Sequence, residues 1–218
     1  MIVKVNQIAS VREADTFAEV DIAGFVVGDS PAARVLDLTT YDDLRRRMAG
    51  AVCVHLLGVD DAQAAGLVAS LAPDYVEFTV VDPEKRTASL AQLDAVSRAG
   101  VPAVANGLFL LKDDLSLLDR SDHLDALVAA GVAYLQVEVD SLTDPENRIS
   151  TKDRARIAEF CARYPVLLTD VCDKPVPDVN QRGTFLNLGG AGDPGHDHSQ
   201  RRFSAAAAVR TIRGLPGT

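Results

Sequence analysis

Cysteine is scarce in this chain and its pattern is unpaired. The three residues, Cys53, Cys161 and Cys172, are odd in number and show no C-x-x-C spacing, which argues against both a disulfide framework and a zinc site. Cys53 and Cys161 sit in apolar periodic segments and read as core; Cys172 falls in a loop. Basic clusters are equally sparse. Lys and Arg total 22 against 31 Asp and Glu, giving a formal charge of −9 and a pI near 4.9. Such a surface repels polyphosphate backbones, so no nucleic-acid partner is expected. No apolar run reaches the roughly 18 residues needed to span a bilayer. The first residues also lack the charged start, apolar stretch and small-residue cleavage site of a secretory signal. The expectation is a cytoplasmic protein with no membrane partner.

With 218 residues, 47% of them hydrophobic, the chain is long enough to bury a large core, and one domain spanning 1–218 is expected. Apolar runs of strand length alternate with amphipathic runs of helix length throughout. Eight strands are predicted, at 2–6, 22–27, 51–57, 75–80, 101–106, 132–139, 165–170 and 184–189. Helix signals separate them. Ser10 opens SVREADTFAEV, Thr40 opens TYDDLRRRM ahead of Gly50, SLAQLDAVSRAG ends on Gly100, and Ser199 opens a last helix that stops at Gly214. Eight βα units in this length predict the α/β class and a closed (β/α)8 barrel, with a doubly wound open sheet as the alternative. No G-x-G-x-x-G follows the first strand, which weighs against a dinucleotide-binding version of that alternative.

The sixth strand favours the barrel. In YLQVEVD, Tyr134, Gln136, Glu138 and Asp140 share one face and Leu135, Val137 and Val139 the other. Apolar side chains then meet the helices while polar ones face the interior. Chemistry in such barrels sits where strands end and βα loops begin. The residues gathered there are Asn6, the 29–34 loop with Arg34, Glu77, Thr79, Asn106, Glu138, Asp140, Asp170, Asn187, and the Gly-rich loop after the last strand.

The stretch VKVNQIASVREADTFAEVDIAGFVVGDSPAAR resembles the opening of phosphoribosylanthranilate isomerases, whose first strand reads V-K-I-C-G-I-T and whose second reads G-F-V-F before a loop carrying S-x-R. VCVHLLGVDDAQAAGLVASLAPDYVEF is similar to that family's third strand, helix and fourth strand. LNLGGAGDPGHDHSQRRFSAAAAVRTIRG resembles its D-V-S-S-G-V-E loop, G-x-K-D segment and final helix. The resemblance implies a (β/α)8 barrel and an Amadori, aldose–ketose type rearrangement of an N-linked ribosyl aminobenzoate, in which a carboxylic acid on the sixth strand and a cysteine on the first share the proton transfers.

Position by position, the resemblance places that cysteine on Asn6, an amide that hydrogen-bonds but has no useful basicity. The acid falls on Glu138 or Asp140, one inward position apart. Arg34 matches the arginine of the second βα loop, an anion clamp beside the substrate. A fourth-strand glutamine and histidine become Glu77 and Thr79. The glycine pair that grips phosphate after the seventh strand becomes Asp170 and Val171, followed by a segment with Pro175 and Pro177, which have no N–H to give. A carboxylate about 5 Å from a phosphate costs roughly 3 kcal/mol per charge pair at an effective dielectric near 20, so Asp170 and Asp173 weaken that grip. Gly189, Gly190, Ala191 and Gly192 still offer backbone amides to an anion, with Arg201 and Arg202 following.

The tryptophan-pathway reaction by the thiol route is therefore not expected. The leading expectation is an isomerase acting on a small sugar-derived or carboxylate-bearing substrate. Glu138 or Asp140 serves as acid and Asp170 or Glu77 as base, while Asn6, Arg34, Thr79, Asn106 and Asn187 contact the substrate. No cofactor is expected, and the protein is a monomer or homodimer. Two alternatives stand beside it: a lyase or aldolase, whose Schiff-base form needs an inward lysine, Lys4 being the one strand candidate; and a barrel that binds a ligand without catalysis. Plainer roles are also open. Glu138 pairs with Lys4 inside the barrel, Asp140 caps a loop, and Asp170 forms a turn. His196 and His198, with Asp193 and Asp197, form an H-x-H cluster expected to be solvated rather than metal-bound, so no metal is assigned. His55 reads as a core histidine, and His123 lies in an exposed helical pattern.

Overall fold

The computed structural model describes residues 1–28, 34–59, 61–80, 93–94, 97–98, 100–111, 113–139, 142, 149–170, 177–189 and 202–215. Eight long strands run through them: β1 (Ile2–Asn6), β2 (Ile22–Gly28), β3 (Ala51–Leu57), β4 (Tyr75–Thr79), β5 (Ala103–Leu110), β6 (Val132–Val139), β7 (Val166–Asp170) and β8 (Gly183–Asn187). Each pairs in parallel with the next. β8 returns to β1 in unbroken register from Ile2↔Gly183 to Asn6↔Asn187. That last ladder closes the sheet into a (β/α)8 barrel and rules out the open doubly wound alternative. A two-residue strand, Val35–Leu36, pairs with Val26 and Val27 at the upper end of β2.

Parity along each strand decides which side chains enter the barrel. Val3 and Val5, Phe25 and Val27, Val52 and Val54, Val76 and Phe78, and Leu135, Val137 and Val139 face outward into two apolar clusters shared with the helices. Each such side chain, fully buried, contributes about 1.5–3 kcal/mol through the surface it removes from water. A third, smaller cluster of Ile22, Cys53 and Val104, with Ile2, Ala51, Tyr75 and Tyr134 packed on it, plugs the N-terminal end of the barrel interior. Burial there pushes the Cys53 thiol up to about 12, so it is not a nucleophile near neutral pH.

The helices are α1 (Val11–Thr16), α2 (Leu38–Arg45), α3 (Asp61–Leu71), α4 (Ser121–Ala129), α5 (Thr151–Arg163) and α6 (Ala205–Arg213), with a 3₁₀ turn at Ser116–Asp119. Ser10 caps α1 as expected, its hydroxyl accepting from the Glu13 N–H, and α6 ends at Gly214. Other boundaries move. α2 is capped by Asp37, which accepts from the Thr40 N–H, so Thr40 lies inside the helix. α6 begins after Ser204, five residues beyond the expected Ser199. A competent N-cap such as either is worth about 1 kcal/mol, and the better-packed one wins. The SLAQLDAVSRAG helix lies largely outside the described residues. His123 is 8% exposed, so it belongs to the inner side of α4, next to Leu124 and Leu127, and not to an exposed face.

Candidate active site

The sequence expectation for β5 stops at Asn106, but the strand continues to Leu110 through a bulge. Pairing with β6 slips between Ala105 and Leu108, and Gly107 adopts φ +78, where a Cβ would lie 2.9 Å from the Val80 carbonyl oxygen. Bulges of this kind re-aim side chains, and this one follows immediately on Asn106. A second glycine makes room on β2. A Cβ on Gly24 would come within 2.4 Å of Asn6 Oδ1, so the absence of a side chain there lets the Asn6 amide lie flat inside the barrel.

Above the apolar plug, the interior is polar. Lys4, Asn6, Glu77, Asn106, Gln136, Glu138, Thr169 and Asn187 are all buried, and most of them bond to one another. Lys4 Nζ meets Glu77 Oε2 at 2.5 Å and Gln136 Oε1 at 3.0 Å, and also donates to Asn6 Oδ1. Gln136 Nε2 donates to Glu77 Oε2 at 2.7 Å, and Asn106 Nδ2 to Glu77 Oε1 at 2.5 Å. Asn6 Nδ2 donates to Gln136 Oε1 and to Asn187 Oδ1, each at 2.8 Å. His55 Nδ1 lies 3.9 Å from Glu77 Oε1.

Glu77 is the hub. Burial alone would raise its carboxyl above the usual range. The Lys4 ammonium, the His55 imidazole and the hydrogen bonds from Lys4 and Gln136 outweigh that and hold it below its ordinary value. Lys4 is thus paired with Glu77, on β4. The three donor directions of the Lys4 ammonium are taken by Glu77, Gln136 and Asn6, and its side chain is fully buried. A Schiff base requires a neutral, accessible amine, so the lysine-dependent lyase loses its one strand candidate.

The remaining candidates fall in different places. Asn6, Asn106, Glu138 and Asn187 converge around one narrow hollow, also lined by Gln136 and Phe185. A second hollow beside it is lined by Asn6, Gly24, Cys53, His55 and Glu77. Thr79 ends β4 in register with Asn106. Arg34 is directed elsewhere. In a left-handed backbone conformation (φ 71), it donates Nε and Nη2 to the Gln7 carbonyl oxygen and Nη2 to both Glu13 carboxylate oxygens at 2.7 Å. It ties the second βα loop to α1. The Gly189 N–H donates to the Phe203 carbonyl oxygen and is not available to an anion, so a grip by this loop rests on Gly190, Ala191 and Gly192, which lie outside the described residues. Asp140 and the His196–His198 cluster also lie outside them. Asp170 ends β7 in register with Val139, on the outward parity, one position past Thr169, which pairs with the inward Glu138. Among the described residues, no group of three His, Cys, Asp or Glu side chains forms a metal cluster, and no helix is long and apolar enough to cross a membrane.

Gln136 and His55 belong to this network although sequence reading gave neither a role in it. Their inward parity on β6 and β3 was the available signal.

By sequence, the chain matches no family model and no curated protein. By structure, it is similar to N-(5′-phosphoribosyl)anthranilate isomerase from Pyrococcus furiosus over 99% of this chain and 100% of that one, with 14% identity and a TM-score of 0.62. It is similar to TrpF from Jonesia denitrificans over 100% and 98%, with 18% identity and a TM-score of 0.61. A type I 3-dehydroquinate dehydratase from Clostridium difficile, bearing covalently modified comenic acid, matches over 97% and 91%, with 10% identity and a TM-score of 0.56. At these identities the likeness is one of fold, and it agrees with the closed barrel built above.

Proposed function

We propose that this barrel is an isomerase-type enzyme that works by acid/base chemistry on a small sugar-derived or carboxylate-bearing substrate at the C-terminal ends of its strands. The observation that carries the reading is the buried carboxylate of Glu138, 3% exposed, on the mouth-facing parity of β6 beside the amides of Asn6, Asn106 and Asn187. An apolar barrel core has no use for such a ring of polar groups, and burying it is costly unless it is matched by partners or a ligand. The likeness in fold to phosphoribosylanthranilate isomerases supports the same class of reaction.

The thiol route is absent from this proposal. Where the resembling family has its cysteine, Asn6 has an amide whose oxygen and nitrogen are both already bonded, so it shapes the floor and takes no proton. Glu138, or Asp140 one inward position further on, supplies the proton that opens a sugar ring. For the base, Glu77 is held ionised by Lys4 and its oxygens are occupied, which makes it a weak acceptor, and Asp170, the other carboxylate expected there, has the outward register of Val139, so neither is given that role. The test is turnover of a panel of N-glycosylamines and aldose phosphates. Glu138→Gln combined with Asp140→Asn should lower kcat about 10²–10⁴-fold, and the wild-type gene should not rescue a tryptophan auxotroph. Unchanged rates in the double variant would overturn the assignment.

The internally bonded network favours a second reading, in which the barrel binds a ligand without converting it. Ligand-dependent thermal stabilisation across the same panel, with no product formed, would select it.

A further inference from the structure

We propose that the floor of the mouth contains a subsite for a hydrogen-bond donor of the ligand, an amine N–H or a sugar hydroxyl, received by Asn106 Oδ1. The inference rests on the reading of the mouth as the functional site and names the ligand group that meets its centre.

Asn106 is 5% exposed. Its Nδ2 donates to Glu77 Oε1 at 2.5 Å, and that contact fixes the amide's orientation. The opposite flip would set two acceptor oxygens against each other at hydrogen-bond distance, beside a carboxylate held ionised. The oxygen end is therefore assigned, and it is buried with no donor within reach. An acceptor left in that state carries an uncompensated desolvation cost, and native structures rarely retain one without a use. Here the cost is built in by the bulge at Gly107, immediately after Asn106.

The neighbouring groups do not relieve it. The hollow beside Asn106 is lined by Asn6, Gln136, Glu138, Phe185 and Asn187, with no lysine or arginine among its lining residues. The Nδ2 of Asn6 donates to Gln136 and Asn187, and the Nε2 of Gln136 to Glu77, and none of them reaches Asn106 Oδ1. A phosphate, carboxylate or carbonyl placed here would bring another acceptor to an acceptor. An N–H or O–H group would complete the network. The substrate's amino or hydroxyl end thus lies over β5, and any anionic end lies away from it.

The experiment uses the full chain with three probes: ribitol for hydroxyl donors, 1-amino-1-deoxyribitol for an amine, and inorganic sulfate as an acceptor-only control. Binding is measured by calorimetry and located by crystallography of the complex. The expected result is a probe oxygen or nitrogen about 3 Å from Asn106 Oδ1, and about ten-fold weaker binding of the two donor probes in Asn106→Leu, with any sulfate binding unchanged. The paired exchange Glu77→Gln with Asn106→Asp keeps the amide–carboxylate bond and the net charge. It should retain ribitol and shift preference toward the amine about ten-fold, which separates the two donor sources and stands in should Asn106→Leu fail to fold. Equal affinities in wild type and Asn106→Leu, or density showing only a water at Asn106, would overturn the subsite. If Glu138→Gln abolishes turnover while the Asn106 variants bind as wild type, the subsite is wrong and the proposed function stands. If no probe binds in the mouth and nothing is turned over, both fall together.

Discussion

The two ends of the barrel interior are built from the same eight strands, yet they hold opposite chemistry. The N-terminal end is filled by Ile22, Cys53 and Val104 with Tyr75 and Tyr134 against them. A few residues further along the same strands come Asn6, Glu77, Asn106, Gln136 and Glu138, all buried and polar. Hydrophobic burial holds the first layer together without regard to direction. The second stands only because donors and acceptors meet one by one, and a layer of that kind is intolerant of losing a single member. The apolar end and the polar end of this fold are thus separated by one or two side-chain steps.

The largest effect should come from removing one member of the ion pair. Lys4→Met leaves Glu77 buried without its cation and should cost about 3–5 kcal/mol in urea unfolding, whereas Lys4→Met with Glu77→Leu should recover most of that loss. If the single and double variants prove equally unstable, the polar layer is not governed by charge pairing. Gly24→Ala should cost about 1–3 kcal/mol, because the new methyl displaces the Asn6 amide, and it should also weaken ligand binding. Ile22→Val, in the apolar layer, should cost about 1 kcal/mol and leave ligand affinity as in wild type; coupled losses there would mean the two layers do not act separately.

The smallest effect concerns pH. The folded-state carboxyl of Glu77 lies below its ordinary value of 4.5. Its ionisation therefore stabilises the fold above that value, and the contribution is lost as pH falls from 4.5 through the depressed folded value. The urea midpoint should decline over that acid range, and the double variant Lys4→Met with Glu77→Leu should flatten the decline.

Much of this was legible in the sequence, and the failures have physical causes. β1, β3 and β6 fall where alternation placed them because period-two patterning reports directly on a sheet with an apolar outside and a filled inside. Helix starts were less secure. Thr40 and Asp37, or Ser199 and Ser204, are all competent caps, and packing elsewhere chooses between them. Asn6, Glu77, Asn106, Glu138 and Asn187 were correctly expected to gather at one end, since inward parity and position along a strand suffice to say that much. For Lys4, the plainer reading offered Glu138 as a partner, and the structure pairs it with Glu77. Arg34, placed by resemblance beside the substrate, is ion-paired with Glu13, its own neighbour in space through the turn at Gln7, a partner the sequence reading did not offer.

The amino-acid order by itself determined the eight strands, the face each side chain takes, and the gathering of acids and amides toward one rim. Only the closed barrel decided which of them touch. Lys4 pairs across the ladder with Ile22, and Ile22 with Ala51, two residues before Cys53, the partner of Tyr75; yet Lys4 contacts Glu77, two residues beyond Tyr75. The tilt and stagger that closure imposes bring residues to one height that no strand-by-strand reading would align.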